Sequence, residues 1–129
     1  MPLLKIDVVE GRSDQQIETL LDTLHTAMVS AFQVPERDRY QVLNEHKRNR
    51  LIIQDTGLGL TRSDNVVVIT AISRPRPAAM KQQFYTLVTE GLARHCAIAS
   101  EDVMISMVIN SDEDWSFGLG RAQFLTGEL

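Results

Sequence analysis

The sequence holds a single cysteine, Cys96, in 129 residues. One thiol excludes an internal disulfide and suits a reducing, cytoplasmic compartment. Cys96 is expected to be a small core residue at a helix end. Three histidines, His25, His46 and His95, show no metal-ligand spacing, so no metal site is expected. Basic residues are scarce: 13 Lys and Arg face 17 Asp and Glu, for a net charge of −4. That balance leaves no electrostatic footprint for nucleic acid. No apolar run approaches the roughly 20 residues that span a bilayer. MPLLKIDVVEGR meets Asp7 and Glu10 before any long apolar stretch, unlike a signal peptide. Neither nucleic acid nor membrane is therefore an expected partner. What remains is a chain of 43% hydrophobic residues, enough for a core, at the length of one domain, 1–129.

The chain repeats itself. LLKIDVV alternates in polarity and reads as a strand. Ser13, with Gln16 three positions later, fits a capping box and starts a helix. Ile17, Leu20, Leu21, Leu24, Met28 and Phe32 then fall on one helical face. VPERD breaks that helix and RYQVLNEH resumes as a strand. The unit recurs: VVVITAI (Val66 to Ile72) reads as a strand buried on both faces. Met80, Phe84, Leu87, Val88 and Leu92 make a second helical stripe, and VMISMVI a fourth strand. Val34 falls on Ile98 and Asp38 on Asp102, an offset of 64. The first repeat covers about 2–46 and the second about 66–110. Two β-α-β repeats imply an α+β fold, a four-stranded sheet with two helices on one face. A strand–helix–strand crossover makes its two strands parallel.

Two segments lie outside the repeats. LIIQDTGLGLTRSD is expected to form small strands and a turn. The tail, 111–129, carries Trp115, Phe117, Phe124 and Leu125 among glycines. With one sheet face already covered by helices, a chain this short has little left to bury these against. Both the tail and the second sheet face point to a homo-oligomer, with tails reaching neighbours.

Three places carry possible chemistry. The chain opens MPLLKI; removal of Met1 ahead of a small residue leaves Pro2 with a free secondary amine, a base and a nucleophile. The plainer reading is that Pro2 stiffens the entry to a strand, where a missing N–H costs little. ISRPRP is the second place. Each proline holds the residue before it extended, so Arg74 and Arg76 leave the same face with Cα atoms about 6.5 Å apart. Two guanidiniums so placed repel unless an anion sits between them, and their forks match a carboxylate or phosphate. Pro77 suits the first position of the next helix, whose N-terminus also attracts an anion. Alternatively the two arginines separate toward solvent. Asp38, in VPERDRY, is the third. Turn and capping chemistry explains it equally well, because Asp102 occupies the matching junction. Asp55, Glu45 and Asp114 read as solvated or capping residues.

Taken together, PLLK, VPERDRY, DTGLGL, RSD, ISRPR and DWSFGLGRAQFLTGEL resemble the malonate semialdehyde decarboxylases of the tautomerase superfamily. The resemblance covers nearly the whole chain. It implies two β-α-β units assembled as a homotrimer, removal of Met1, and no metal or organic cofactor. It implies decarboxylation of a small carboxylic acid, malonate semialdehyde, to acetaldehyde and carbon dioxide. By position, Pro2 matches the catalytic proline, Arg74 and Arg76 the arginine pair, and Asp38 the acid that works with water. Trp115, Phe117, Phe124 and Leu129 match an apolar wall of the pocket. A second branch of these enzymes lacks this arginine spacing, and RPR resembles the first. Two rivals stay open: a tautomerase or hydratase acting on another small acid at the same site, and a non-catalytic oligomeric binding protein.

Overall fold

The computed structural model describes residues 1–129. Strand β1 (Leu3–Val9) leads into helix α1 (Asp14–Phe32) and strand β2 (Tyr40–His46). Strand β3 (Val67–Ser73), helix α2 (Ala78–Cys96) and strand β4 (Val103–Ile109) repeat the pattern. A single turn of helix, α3 (Gln123–Thr126), lies in the tail. The four strands form one sheet in the order β2-β1-β3-β4. Within each repeat the strands are parallel; β1 and β3 meet antiparallel at the centre. The four strands and the parallel pairing within each repeat are as expected, and the antiparallel join of β1 and β3 makes the sheet mixed.

Local chemistry sets the helix ends. The Ser13 hydroxyl accepts from Gln16 N–H at 3.1 Å, and the Gln16 side chain accepts from Ser13 N–H at 2.9 Å. Two of the four orphan donors of a helix start are thereby satisfied. Pro77 lies one place earlier than expected: it precedes α2 and its carbonyl accepts from Met80 and Lys81 N–H. The chain leaves each helix through a left-handed residue, Gln33 and Ala97.

Alternation along the strands builds the core. Leu4, Ile6 and Val8 of β1 and Val67, Ile69 and Ala71 of β3 point to the helix side and are buried. They pack on Leu20, Leu24, Met28 and Phe32 of α1 and on Phe84, Val88 and Leu92 of α2. Both helical stripes face this one core. Phe32 and Phe84 touch across the helix pair, ring centroids 4.9 Å apart. Phe84→Ala is expected to cost about 3–5 kcal/mol of stability, read by denaturant unfolding, because the cavity lies at the centre of the core. A loss under about 1 kcal/mol would mean the helices repack freely.

Two expectations change. β3 is not buried on both faces: its residues alternate between buried and half-buried, because only one face carries helices. The opposite face presents Tyr40, Val42, Met104 and Val108 to solvent. The segment 51–64 forms no strand. Its backbone is held by side chains instead. The Asp55 carboxylate accepts from Gly57 N–H at 3.2 Å and Gly59 N–H at 2.9 Å, which holds it below the usual carboxylate pKa range. Both glycines have positive φ, a geometry that closes a loop and does not extend a ladder. Cys96 ends α2, half-buried against the core, as expected.

Candidate active site

The β1–β3 register brings the chain start to the arginines. Leu3 pairs with Ile72. Continuing that antiparallel register by one step sets Pro2 opposite Ser73, next to Arg74. Pro2 is buried and Met1 is 8% exposed. The terminal amine is therefore partly withdrawn from solvent. Its pKa falls from 8.0 to about 6, first through burial, then through the charges of Arg76 and Arg74, against the opposing pull of Asp38. Chain start, arginine pair and Asp38 thus share one end of the sheet. At pH 7 most of the Met1 amine is neutral. Amine-selective reductive methylation should reach half its limiting rate near pH 6; a midpoint near 8 would contradict the burial seen here.

The two arginines are held differently. Arg74 Nη1 donates to Asp112 Oδ1 at 2.9 Å, and its guanidinium lies 4.0 Å over the Phe124 ring. Its Nε is buried without a hydrogen-bond partner. Arg76 has no acidic partner. Its Nε donates to Ser73 Oγ at 3.2 Å, its Nη1 to Phe32 O at 3.4 Å, and its guanidinium sits 5.2 Å over the Phe32 ring. Burial, then the Arg74 charge, lowers the Arg76 pKa, while Asp38 raises it. The charge on Arg76 is accordingly the less compensated of the two.

Asp38 and Asp102, equivalent by repeat, do different things. Asp102 is buried, and its carboxylate accepts from both Ser63 N–H and Ser63 Oγ–H at 2.6 Å. That aspartate pins the 51–64 loop. Asp38 is half-buried, and only its backbone is engaged, N–H to Pro35 O at 3.0 Å. A long-range contact to Ser63, not the expected turn or capping chemistry, therefore accounts for the second aspartate, whereas the first carboxylate accepts no hydrogen bond.

The tail folds back over this end of its own chain. Trp115 donates from Nε1 to Asn110 Oδ1 at 2.7 Å and stacks on Phe117 at 5.4 Å. Phe117 meets Phe124 edge-on at 5.5 Å and Tyr40 at 5.6 Å. Gln123 locks the turn: it accepts from Phe117 N–H at 3.0 Å and donates to Gly118 O at 2.8 Å. Trp115, Phe117 and Phe124 hence form one apolar cluster against Arg74. Leu129 does not join it; beyond Gly127, at φ 82°, the residue is 61% exposed. Tyr40 and Arg74 of the same chain supply the contacts on which this cluster rests.

Sequence reasoning missed Ser73, Asp112, Gln123 and Tyr40. The signal for Ser73 was its place at an inward position of β3, on a face that is otherwise apolar. Asp112 stands among three acids in SDEDW, and nothing in their order marks the partner of Arg74. No group of three or more His, Cys, Asp or Glu is placed to hold a metal. No helix is long and apolar enough to cross a membrane.

Comparison with known proteins follows the same lines. Two models described as tautomerase enzyme match residues 38–118 and 2–61. The chain is 52% identical to a probable tautomerase of Bacillus subtilis (strain 168), YrdN, over all of both chains. It is 31% identical to a second from that organism, YusQ, over 97% of this chain and 99% of that one. Among solved structures, a malonate semialdehyde decarboxylase, described with decarboxylase and hydratase activities, matches at TM-score 0.96 and 54% identity, covering 98% of each chain. Another malonate semialdehyde decarboxylase, inhibited by 3-bromopropiolate, matches at 0.94 and 40%, covering 98% of this chain and 97% of that one. With models matching from the first strand to the tail and relatives aligned over their full lengths, the chain belongs to the tautomerase family of enzymes.

Proposed function

We propose that this chain, once Met1 is removed, decarboxylates malonate semialdehyde to acetaldehyde and carbon dioxide without a cofactor. The observation that carries the reading is the convergence of the chain start, Arg74, Arg76 and Asp38 at one end of the sheet. The 54% identity to a malonate semialdehyde decarboxylase supports the choice of substrate.

The chemistry follows from the groups. Arg74 and Arg76 bind the substrate carboxylate through their guanidinium N–H groups. Tight binding of a charge that leaves during reaction favours the ground state. Their contribution is therefore orientation: the breaking C–C bond is turned perpendicular to the carbonyl plane. The electron pair of that bond passes into the aldehyde as carbon dioxide departs. A protonated Pro2 would donate to the carbonyl oxygen and stabilise the enolate, which takes up a proton to give acetaldehyde. A neutral Pro2 would instead add to the aldehyde and lose water, giving an iminium as the electron sink. Protonation of the resulting enamine, followed by hydrolysis that takes up a water in place of the one lost, releases acetaldehyde and restores the amine. Asp38 orients water or keeps the carbonyl polarised. Trp115, Phe117 and Phe124 offer an apolar wall that suits neutral carbon dioxide better than a carboxylate.

Which route operates depends on the Pro2 amine, freed one residue on from the Met1 amine at the same end of the sheet and expected to feel the same three charges. Arg76→Ala is expected to raise its pKa and Asp38→Asn to lower it. The check is the acid limb of the pH profile of kcat/KM, or a titration of labelled Pro2 by NMR. Movement in the reverse directions would mean these charges do not act on the amine.

A second reading draws on the tautomerase names and on the hydratase activity ascribed to the similar decarboxylase. A tautomerase or hydratase would use Pro2 and the arginines on another 2-oxo or unsaturated acid. Relative kcat/KM for malonate semialdehyde, an aromatic enol acid and an acetylene carboxylate separates the three. The decarboxylase reading expects the first to be highest. A higher value for either of the others replaces it, and no turnover of any, with no effect of blocking Pro2, leaves a binding protein. Assembly as a homotrimer belongs to the proposal too. The helix-free sheet face leaves Tyr40, Val42, Met104 and Val108 exposed, and a symmetric self-association supplies a cover.

A further inference from the structure

We propose that Ser73 is a positioning residue that fixes the Arg76 guanidinium for the substrate carboxylate, an inference resting on the carboxylate-binding part of the reading above. Ser73 closes β3 and is 0% exposed. The other inward residues of that strand, Val67, Ile69 and Ala71, are apolar. A hydroxyl at such a place costs stability unless its hydrogen bonds are made. Here both roles are used. Ser73 Oγ–H donates to Arg74 O at 2.8 Å, and Oγ accepts from Arg76 Nε–H at 3.2 Å. The Ser73 carbonyl accepts from Asn110 N–H at 2.9 Å, tying the same residue to the start of the tail.

The consequence lies in the donor count. A guanidinium has five N–H donors in a rigid fork. Ser73 takes the Nε donor and Phe32 O takes one on Nη1. Three remain, all on the Nη1 and Nη2 end. Ser73 thus commits the Nε side of Arg76 to the protein and leaves the far end for an anion. The Phe32 ring, 5.2 Å from the guanidinium carbon, supports one face. Without the Ser73 hydroxyl that anchor is lost, and the fork turns about its long stem. Ser73 acts through Arg76 and needs no contact with substrate.

The test is a double-mutant cycle read by calorimetry of malonate, a non-aldehydic dicarboxylate, on the chain beginning at Pro2. Ser73→Ala should weaken malonate binding about tenfold where Arg76 is present. In an Arg76→Ala background the same change should alter it less than twofold. An equal loss in both backgrounds overturns the proposal, since Ser73 would then act through general packing. Arg76→Ala binding malonate as tightly as the unchanged chain removes both the carboxylate reading and the role of Ser73. Coupling in this cycle without any acetaldehyde from malonate semialdehyde sinks the decarboxylase alone and leaves Ser73 in its role. Should Ser73→Ala fail to fold, the Arg76 Nε–H resonance of the unchanged chain decides. Protection from exchange with solvent is expected, and free exchange overturns the proposal.

Discussion

Protein that retains Met1 should turn over malonate semialdehyde at least about 10³-fold more slowly than protein beginning at Pro2. The size follows from losing the reacting group itself, whose proton-transfer or nucleophilic contribution is commonly 10²–10⁴-fold. With Met1 attached, the Pro2 nitrogen is an amide, with no basic lone pair. The Met1 amine does not replace it. That amine lies among Arg76, Arg74 and Asp38, but it is primary and one residue displaced from the Pro2 nitrogen. Met1 itself is buried. The two forms differ by one residue and separate by intact mass, which makes the comparison direct. Equal rates in the two would remove Pro2 from the mechanism while leaving the arginines in question.

Arg76→Ala should lower kcat/KM for malonate semialdehyde by about 10²-fold, and Arg74→Ala by about tenfold. The asymmetry comes from how each guanidinium is held. Asp112 already offsets the charge of Arg74, and the partly exposed pair contributes little on its own. Arg76 has no carboxylate partner and is fixed by Ser73 and Phe32. A substrate carboxylate therefore gains more from Arg76. Lysine should not restore the loss, because a point charge lacks the fork and the Nε anchor. Equal effects of the two alanine changes would show that Asp112 leaves Arg74 fully available. Asp112→Asn would then be expected to change nothing.

The sheet, both helices and their core were legible because they rest on period and local chemistry. The stripe from Ile17 to Phe32 and the box of Ser13 with Gln16 fix α1 without reference to anything distant. The same holds for Met80 to Leu92. The adjacency of β1 and β3, and with it the meeting of the chain start and RPR, is set by the observed antiparallel register, which the repeat pattern alone does not dictate. The 51–64 loop was misread because Ile52, Ile53 and Leu58 resemble strand residues. The sequence does not reveal that Asp55 captures Gly57 and Gly59 and prevents an extended run. Nor does it reveal which acid meets Arg74. Asp112, Glu113 and Asp114 are adjacent, and the choice among them is made by the turn that Asp114 itself caps on Ser111. Asp38 and Asp102 look alike for the same reason. Their separation depends on Ser63, a residue 39 positions before Asp102.

Proton NMR of malonate semialdehyde with protein shown by intact mass to begin at Pro2 tests the central claim most directly. The account predicts acetaldehyde signals growing at a catalysed rate, abolished in the Met1-retaining form and strongly reduced in Arg76→Ala. Acetaldehyde no faster than in buffer, from folded protein that begins at Pro2, would contradict it.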